Sequence, residues 1–276
     1  GGGESLIYAL IAHVRGDHAD RAEQAVWALA NIAAAGIELR DILLDAGGIP
    51  VLMSHLYAAE ARGAEFAALP GVYIAGDLWP SHWSRRAAVG LATLCGGADP
   101  QPEWELTCNT LPLWGQLLTM VDEHVVATAV RALASLSEGS LERVRAITDT
   151  EGLMEQLGEL IRAVVNTTMA ASDEERARAT VTHKGAHPVL TGALVIVRNV
   201  CTANCLSVAC ADSCVQCVID ADILPLLLHQ LYHDDIYVRS CTCAIVANIL
   251  AGSNAQIRAV LRVDQTSAAV SIGRFI

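Results

Sequence analysis

Apolar residues recur along the chain with the period of a helix. Between Ala22 and Ala34 they fall at spacings of three and four, and no stretch of comparable length alternates as a strand does. Three leucine-rich segments keep this period and carry a proline in their first turn, where the missing N–H costs no hydrogen bond. We take them as third helices of a repeated unit: 49–56, 111–118 and 223–231. Every major element is therefore predicted to be a helix.

A short motif recurs within these helices. Each copy has two marked positions, the second lying four residues after the first. The pairs are Trp27 with Asn31, Val89 with Thr93, Arg131 with Ser135, Val195 with Asn199, and Ala244 with Asn248. The intervals between the second members are 62, 42, 64 and 49 residues, which indicates a unit of about 42 residues with insertions. Composition places these insertions near 58–80 and 165–185, with a smaller one around 205–213.

The size of the unit selects the architecture. Repeats of about 40–47 residues made only of helices are armadillo or HEAT repeats, which bury their apolar faces against neighbouring repeats. The predicted fold class is therefore all-α, an armadillo-repeat right-handed superhelical solenoid with three helices per repeat. Residues 1–276 are predicted to form a single armadillo-repeat domain, a fragment of a longer protein, in which the insertions become exposed loops.

Composition narrows the classes of partner. Hydrophobic residues make up 53% of the chain and aromatic residues only 4%, so Ala, Leu, Val and Ile must fill the helix contacts. The net charge of −12 and the lack of a basic run longer than Arg85-Arg86 argue against nucleic acid and favour basic partners. No apolar stretch reaches the roughly 18–20 residues of a membrane span, so no membrane association is expected. Nine cysteines, mostly in apolar surroundings, indicate a reducing compartment.

Signals for catalysis or metal binding are weak. The sequence has no glycine-rich phosphate loop and no nucleophile elbow, so we predict that it is not an enzyme and needs no cofactor. The five cysteines from Cys201 to Cys217 lack the paired Cys-x2-Cys spacing of a zinc ribbon, and His183 and His187 flank a glycine in an insertion. We expect buried or loop thiols there. The pair Asp234-Asp235 is expected to form a turn that caps the following helix.

Four stretches match a known repeat family. They are Glu23-Gln-Ala-Val-Trp27-Ala-Leu-Ala-Asn31 with Arg40-Asp41 nearby, Pro100-Gln-Pro-Glu-Trp104, Leu136-Ser-Glu-Gly139, and Asn248-Ile-Leu-Ala-Gly252. These stretches resemble the importin-alpha (karyopherin-alpha) family, adaptors that carry nuclear localisation signals to the nuclear pore. The resemblance covers most of the chain, roughly the third to seventh armadillo repeats. It implies a protein of the cytoplasm and nucleus, and it implies that the family's importin-beta-binding segment is absent from this chain.

The resemblance also implies a peptide-binding groove. In the family, a Trp and an Asn one turn later line the concave face, where the indole flanks a lysine side chain and the amide holds the peptide backbone. The peptide-binding residues carried over are Trp27, Asn31, Glu138, Asn199, Thr202 and Asn248. The departures are Val89, Arg131, Val195 and Ala244 in place of aromatic walls, and Ala35 in place of an Asp that holds a lysine. Among these departures, Arg131 adds a cation to a groove meant for basic peptides.

Two binding functions remain open. The first is a nuclear import adaptor that binds the basic nuclear localisation signal peptides of cargo proteins. The second is a divergent armadillo or HEAT scaffold that binds another protein partner without import activity. The residues at stake also have simpler interpretations: Trp27 as a buried packing residue, and Asn199 and Asn248 as partners of a neighbouring repeat's backbone.

Overall fold

The computed structural model describes residues 2–67, 81–97, 100–170, 187–202 and 208–272. Within these ranges the regular structure is helical, without a strand, so the all-α prediction is confirmed. The chain divides into two compact units, Gly1–Leu136 and Ser137–Ile276. The prediction of a single domain stays a prediction. No helix in the described ranges is both long enough and apolar enough to cross a bilayer.

The first unit contains eight α-helices among its described residues. They are α1 (Gly2–Val14), α2 (Ala19–Ala34), α3 (Ile37–Asp45), α4 (Gly48–Ala67), α5 (Ser81–Cys95), α6 (Trp104–Thr107), α7 (Leu111–Leu118) and α8 (Glu123–Leu136). A short first helix is followed by a leucine-rich helix and then by a motif helix, in the order α3, α4, α5 and again α6, α7, α8. The leucine-rich helices are thus second in each repeat. Our prediction that the leucine-rich helices are third in the repeat was wrong, because the motif helices follow them. The motif helices are therefore the third helices.

The third helices α2, α5 and α8 pack in sequence, α2 against α5 and α5 against α8. Their inner faces include Leu29, Leu91 and Leu133, which are almost fully buried. Burial of each such side chain contributes about 1.5–3 kcal/mol. At Gly90 an added Cβ would lie 3.0 Å from the Cβ of Ala30, so the glycine permits a close approach of α2 and α5. This packing uses one face of each third helix and leaves another face to solvent.

The second unit repeats the same order of helices. Its described helices are α9 (Leu141–Asp149), α10 (Leu153–Ala170), α11 (Pro188–Thr202), α12 (Val208–Asp220), α13 (Leu224–Gln230), α14 (Ile236–Leu250) and α15 (Asn254–Ile272). The two third helices, α11 and α14, pack against each other. Two successive repeats therefore place their motif residues on neighbouring helices.

Local signals in the sequence explain where several helices begin. The carboxylate of Asp235 accepts hydrogen bonds from the backbone N–H groups of Tyr237 and Val238 at 2.7 and 3.3 Å, which confirms the predicted cap of α14. Pro112 and Pro225 lie at the first or second position of α7 and α13, as the missing proline N–H favours.

The predicted insertions overlap helices at one or both ends. Residues 58–67 continue α4 and residues 165–170 continue α10. Residues 68–80 and 171–186 lie outside the described residues, and so does His183. The smaller insertion around 205–213 overlaps α12, while its residues 205–207 are outside the described ranges.

Candidate functional site

The motif residues of the first unit lie on the exposed faces of its third helices. Trp27 is 47% exposed and Val89 is 41% exposed, and Asn31 and Arg131 also face solvent. The interpretation of Trp27 as a buried packing residue is therefore wrong. Residues four apart share a helix face, so Asn31 lies one turn beyond Trp27 on the same surface. Among the described residues, the Asn31 amide has no hydrogen-bond partner.

The guanidinium group of Arg86 covers one face of the Trp27 ring. The guanidinium carbon of Arg86, on α5, lies 4.8 Å from the ring centroid, which is within the range of a cation–π contact. Nη1 of Arg86 also pairs with Oε1 of Glu23 at 2.8 Å. At partly exposed positions, contacts of these two kinds contribute up to about 1 kcal/mol each. Any ligand cation that approaches this face of the indole must therefore compete with Arg86.

A groove of about 490 Å³, here named the first groove, lies beside the third helices of the first unit. Four motif residues line it: Val89, Thr93, Arg131 and Ser135. The rest of the described lining comes from the end of α2, the start of α3 and the end of α5, and it includes Arg40 but neither Asp nor Glu. Ala35, in the position of the family's Asp, is exposed just after α2. Among the described residues, the first groove therefore contains cationic side chains and no carboxylate.

Buried Arg40 fixes one wall of the first groove. Its Nη1 donates to the carbonyl oxygen of Gly96 and its Nη2 to that of Pro100, both at 3.1 Å. Its Nε donates to the carboxylate of Asp41 at 2.9 Å. Gly97 has a φ of +115°, and a Cβ there would collide with the Arg40 guanidinium. Arg40 thus ties α3 to the segment that follows α5.

Four of the predicted site residues meet in the second unit. Glu138, Asn199 and Thr202 line a pocket of about 230 Å³, here named the second pocket, together with Arg198. Asn248, on α14, reaches Thr202 on α11, because its Nδ2 donates to Oγ1 of Thr202 at 3.2 Å. The residues that sequence analysis selected one repeat apart are therefore neighbours in space.

The amide groups in the second pocket are held by side chains of neighbouring repeats. Nδ2 of Asn199 donates to Oγ of Ser137 at 2.8 Å. Nη2 of Arg198 lies 3.5 Å from Oδ1 of Asn199, a long hydrogen bond. The Asn199 amide carries two N–H groups, so the bond to Ser137 fixes its orientation and leaves a further donor among the described residues. The simpler interpretation, in which Asn199 bonds to the backbone of a neighbouring repeat, is corrected to a bond with the Ser137 side chain. Asn248 bonds to the side chain of Thr202.

Sequence analysis missed three residues of these sites: Arg86, Ser137 and Arg198. Ser137 directly precedes Glu138, and Arg198 directly precedes Asn199, so the neighbouring predicted site residues could have indicated both positions. Arg198 also donates from Nη1 to Sγ of Cys241 on α14, at 3.9 Å. The contact of Arg86 with Trp27 had no signal, because it depends on how α5 packs against α2.

Among the described thiols of the second unit, Cys201, Cys214 and Cys241 are buried, Cys217 is half-buried and Cys243 is exposed. Burial, followed by neighbouring Cys214, raises the pKa of the Cys201 thiol far above its usual range. Burial also raises the pKa of the Cys217 thiol. Such groups carry little thiolate, the form that binds metals. No three potential metal ligands cluster within the described residues, whereas Cys205 and the side chain of Cys210 fall outside them.

Comparison with curated proteins finds importin alpha subunits of plants. Importin subunit alpha-1a of Oryza sativa subsp. japonica is 30% identical over 265 residues, covering 86% of this chain and 44% of that protein. Importin subunit alpha-1b of the same organism is 31% identical, and the match covers 77% of this chain and 30% of that protein. The chain therefore spans less than half the length of these relatives. No protein-family model matches it.

Solved armadillo structures share the fold. A computationally designed armadillo repeat protein for modular peptide recognition superposes with a TM-score of 0.68 at 19% identity, covering 93% of this chain and 87% of that one. A designed armadillo repeat protein in complex with the peptide (KR)4 gives a TM-score of 0.65 at 18% identity, covering 94% and 88%. These likenesses support the armadillo-repeat solenoid. The plant relatives identify the chain as a divergent member of the importin-alpha/armadillo family.

Proposed function

We propose that this protein is a non-enzymatic binding adaptor that holds extended peptides of partner proteins against the exposed faces of its third helices. The observation that carries the proposal is the second pocket. Asn199 lines this pocket, and Asn248 stands on the neighbouring third helix and bonds to Thr202 of the lining, so a side-chain hydrogen bond orients each amide. A row of amides on successive repeats suits an extended backbone, which presents its carbonyl and N–H groups at regular intervals.

The electrostatics favour a basic peptide in the second pocket. Glu138 is exposed at its rim and can receive an ammonium or guanidinium group. The net charge of −12 also attracts basic peptides at a distance, an effect that salt weakens over about 10 Å at moderate ionic strength. We therefore propose lysine- or arginine-containing segments as ligands, with Glu138 and Thr202 contacting their side chains.

The finer form of the proposal is nuclear import. As a relative of importin alpha subunits, the protein would bind nuclear localisation signals of cargo proteins, work with importin-beta, and move between cytoplasm and nucleus. Trp27 and Asn31 would then form a further contact for the peptide in the first unit. These roles belong to a complete adaptor, of which this chain spans less than half the length seen in its relatives.

An armadillo scaffold without import activity is the second candidate, and the first unit favours it. Arg86 covers the Trp27 ring, and the described lining of the first groove has Arg131 and no carboxylate. These features would weaken the contacts with a lysine side chain by which the importin-alpha family binds its peptides. If they dominate, the third-helix surface serves a different class of peptide.

The proposal is tested by fluorescence anisotropy with a labelled lysine-rich nuclear localisation peptide and a scrambled peptide of the same charge. The double variant Asn199→Ala/Asn248→Ala is expected to weaken binding about tenfold, or 1.4 kcal/mol, because the backbone contacts are lost. Glu138→Gln should weaken it by up to about fivefold, the upper end of the usual range for an exposed ion pair. Both effects are measured at low and physiological salt.

Glu142→Gln is the matched control, since Glu142 is an exposed carboxylate of α9 outside the pocket lining. It should bind like the unaltered protein. If the nuclear localisation peptide and the scrambled peptide bind with equal affinity, the armadillo scaffold without import activity would replace nuclear import as the proposed function. Binding that neither variant changes, or no binding at physiological salt, would remove the peptide-binding proposal for the second pocket.

A further inference from the structure

The first groove contains one arginine whose charge is not compensated. Arg131 is exposed on α8, and no described residue forms an ion pair or hydrogen bond with its side chain. The other arginines nearby are engaged. Arg86 pairs with Glu23 at 2.8 Å, and Arg40 pairs with Asp41 at 2.8 Å. The free cationic charge of this surface is therefore concentrated at Arg131.

The lining around Arg131 contains a second donor. Ser135 lies one turn further along α8, and its hydroxyl has no hydrogen-bond partner among the described residues. The hydroxyl of Thr93, on α5, already donates to the carbonyl oxygen of Val89 at 2.8 Å. Among the described residues, the free side-chain donors of the first groove are thus the planar guanidinium of Arg131 and the hydroxyl of Ser135. Both are suited to oxygen acceptors.

Charge complementarity then selects the ligand. A lysine or arginine side chain placed here would meet a like charge with no carboxylate among the described lining residues to offset it, a penalty that grows as water is displaced. A carboxylate or phosphate would instead receive charge-assisted hydrogen bonds, which a guanidinium donates in pairs. The groove of about 490 Å³ is large enough for such a side chain.

We propose that the first groove is a subsite for an anionic side chain, the carboxylate of Glu or Asp or a phosphorylated residue, on a peptide bound to the third helices of the first unit. Arg131 and Ser135 are its donors. This assignment rests on the proposed peptide-binding function and makes it more specific. It gives the first unit a preference opposite to that of the second pocket, where Glu138 selects cations.

The test uses four labelled short peptides of one uncharged background that differ only in their central residues, which are glutamate, phosphoserine, glutamine or lysine. Anisotropy is measured on the full chain at low salt. The glutamate and phosphoserine peptides are expected to bind about tenfold more tightly than the glutamine peptide. If the phosphoserine peptide binds and the glutamate peptide does not, the subsite is assigned to phosphate alone.

Arg131→Glu should remove this preference and admit the lysine peptide, whereas Arg131→Lys should retain part of it. Arg21→Glu is the control, because Arg21 is an exposed arginine of α2 that pairs with no described residue and lies outside the groove lining, and its charge reversal should leave the preference intact. The assignment is overturned if the acidic peptides bind no better than the glutamine peptide, or if Arg131→Glu keeps the preference. If the basic nuclear localisation peptide also fails to bind, the peptide-binding function itself would be overturned.

Discussion

Replacing Trp114 with alanine is expected to lower the free energy of unfolding by about 3–5 kcal/mol, the usual cost of removing a large buried aromatic side chain. Trp114 is fully buried in α7. Its Nε1 donates to Oγ1 of Thr110 at 3.0 Å, and that hydroxyl donates to the carbonyl oxygen of Thr107 at 2.7 Å. The truncation would therefore leave both a cavity and a broken hydrogen-bond chain beneath α8.

Urea unfolding followed by the helical circular dichroism signal measures this loss. Trp114→Phe is the matched variant, because it keeps an aromatic ring in the core while it removes the N–H donor and part of the ring volume. We expect it to cost about 1–2 kcal/mol. A Trp114→Ala protein within about 1 kcal/mol of the unaltered one would contradict the packing described for α7.

Replacing Arg40 with alanine is expected to lower the free energy of unfolding by about 2–4 kcal/mol, since two carbonyl oxygens lose their donors and Asp41 loses its partner. The loss falls below the range for a fully buried ion pair because the side chain of Asp41 is 47% exposed and can be hydrated. Arg40→Lys should recover only part of it, because an ammonium group cannot span both carbonyl oxygens in the fixed geometry of a guanidinium.

The measurement for Arg40 is again urea unfolding, combined with binding of the glutamate peptide. Because Arg40 fixes a wall of the first groove, the alanine variant should lose affinity for that peptide as well as stability. Arg21→Ala, at an exposed arginine, should change stability by less than about 0.5 kcal/mol. If Arg40→Ala behaved like Arg21→Ala, the tie between α3 and the segment after α5 would be refuted.

The architecture could be predicted from sequence because it depends on local patterns. The period of apolar residues gave the helices, the spacing of the motif gave the repeats, and the i, i+4 relation placed Trp27 and Asn31 on one face. The carboxylate of Asp235 marked a helix start for the same local reason. The placement of the leucine-rich helices within the repeat failed because periodicity alone does not say where one repeat begins.

The state of the candidate site could not be predicted, because it depends on contacts between helices. Sequence alone gave no reason for Arg86 to stack on Trp27, since these residues lie in different repeats and meet only through the packing of α2 with α5. The bond from Asn199 to Ser137 likewise joins α11 to the segment before α9. Such contacts decide which donors remain for a ligand.

The central claim is that the exposed faces of the third helices bind peptides. Photocrosslinking tests it most directly: the lysine-rich and glutamate peptides, each carrying a photoreactive residue, are irradiated with the protein and the adducts are located by mass spectrometry. We predict adducts on α11 and α14 with the basic peptide, and on α5 and α8 with the acidic one. Adducts confined to the first and second helices of the repeats, or none above the level seen with an uncharged peptide, would contradict the claim.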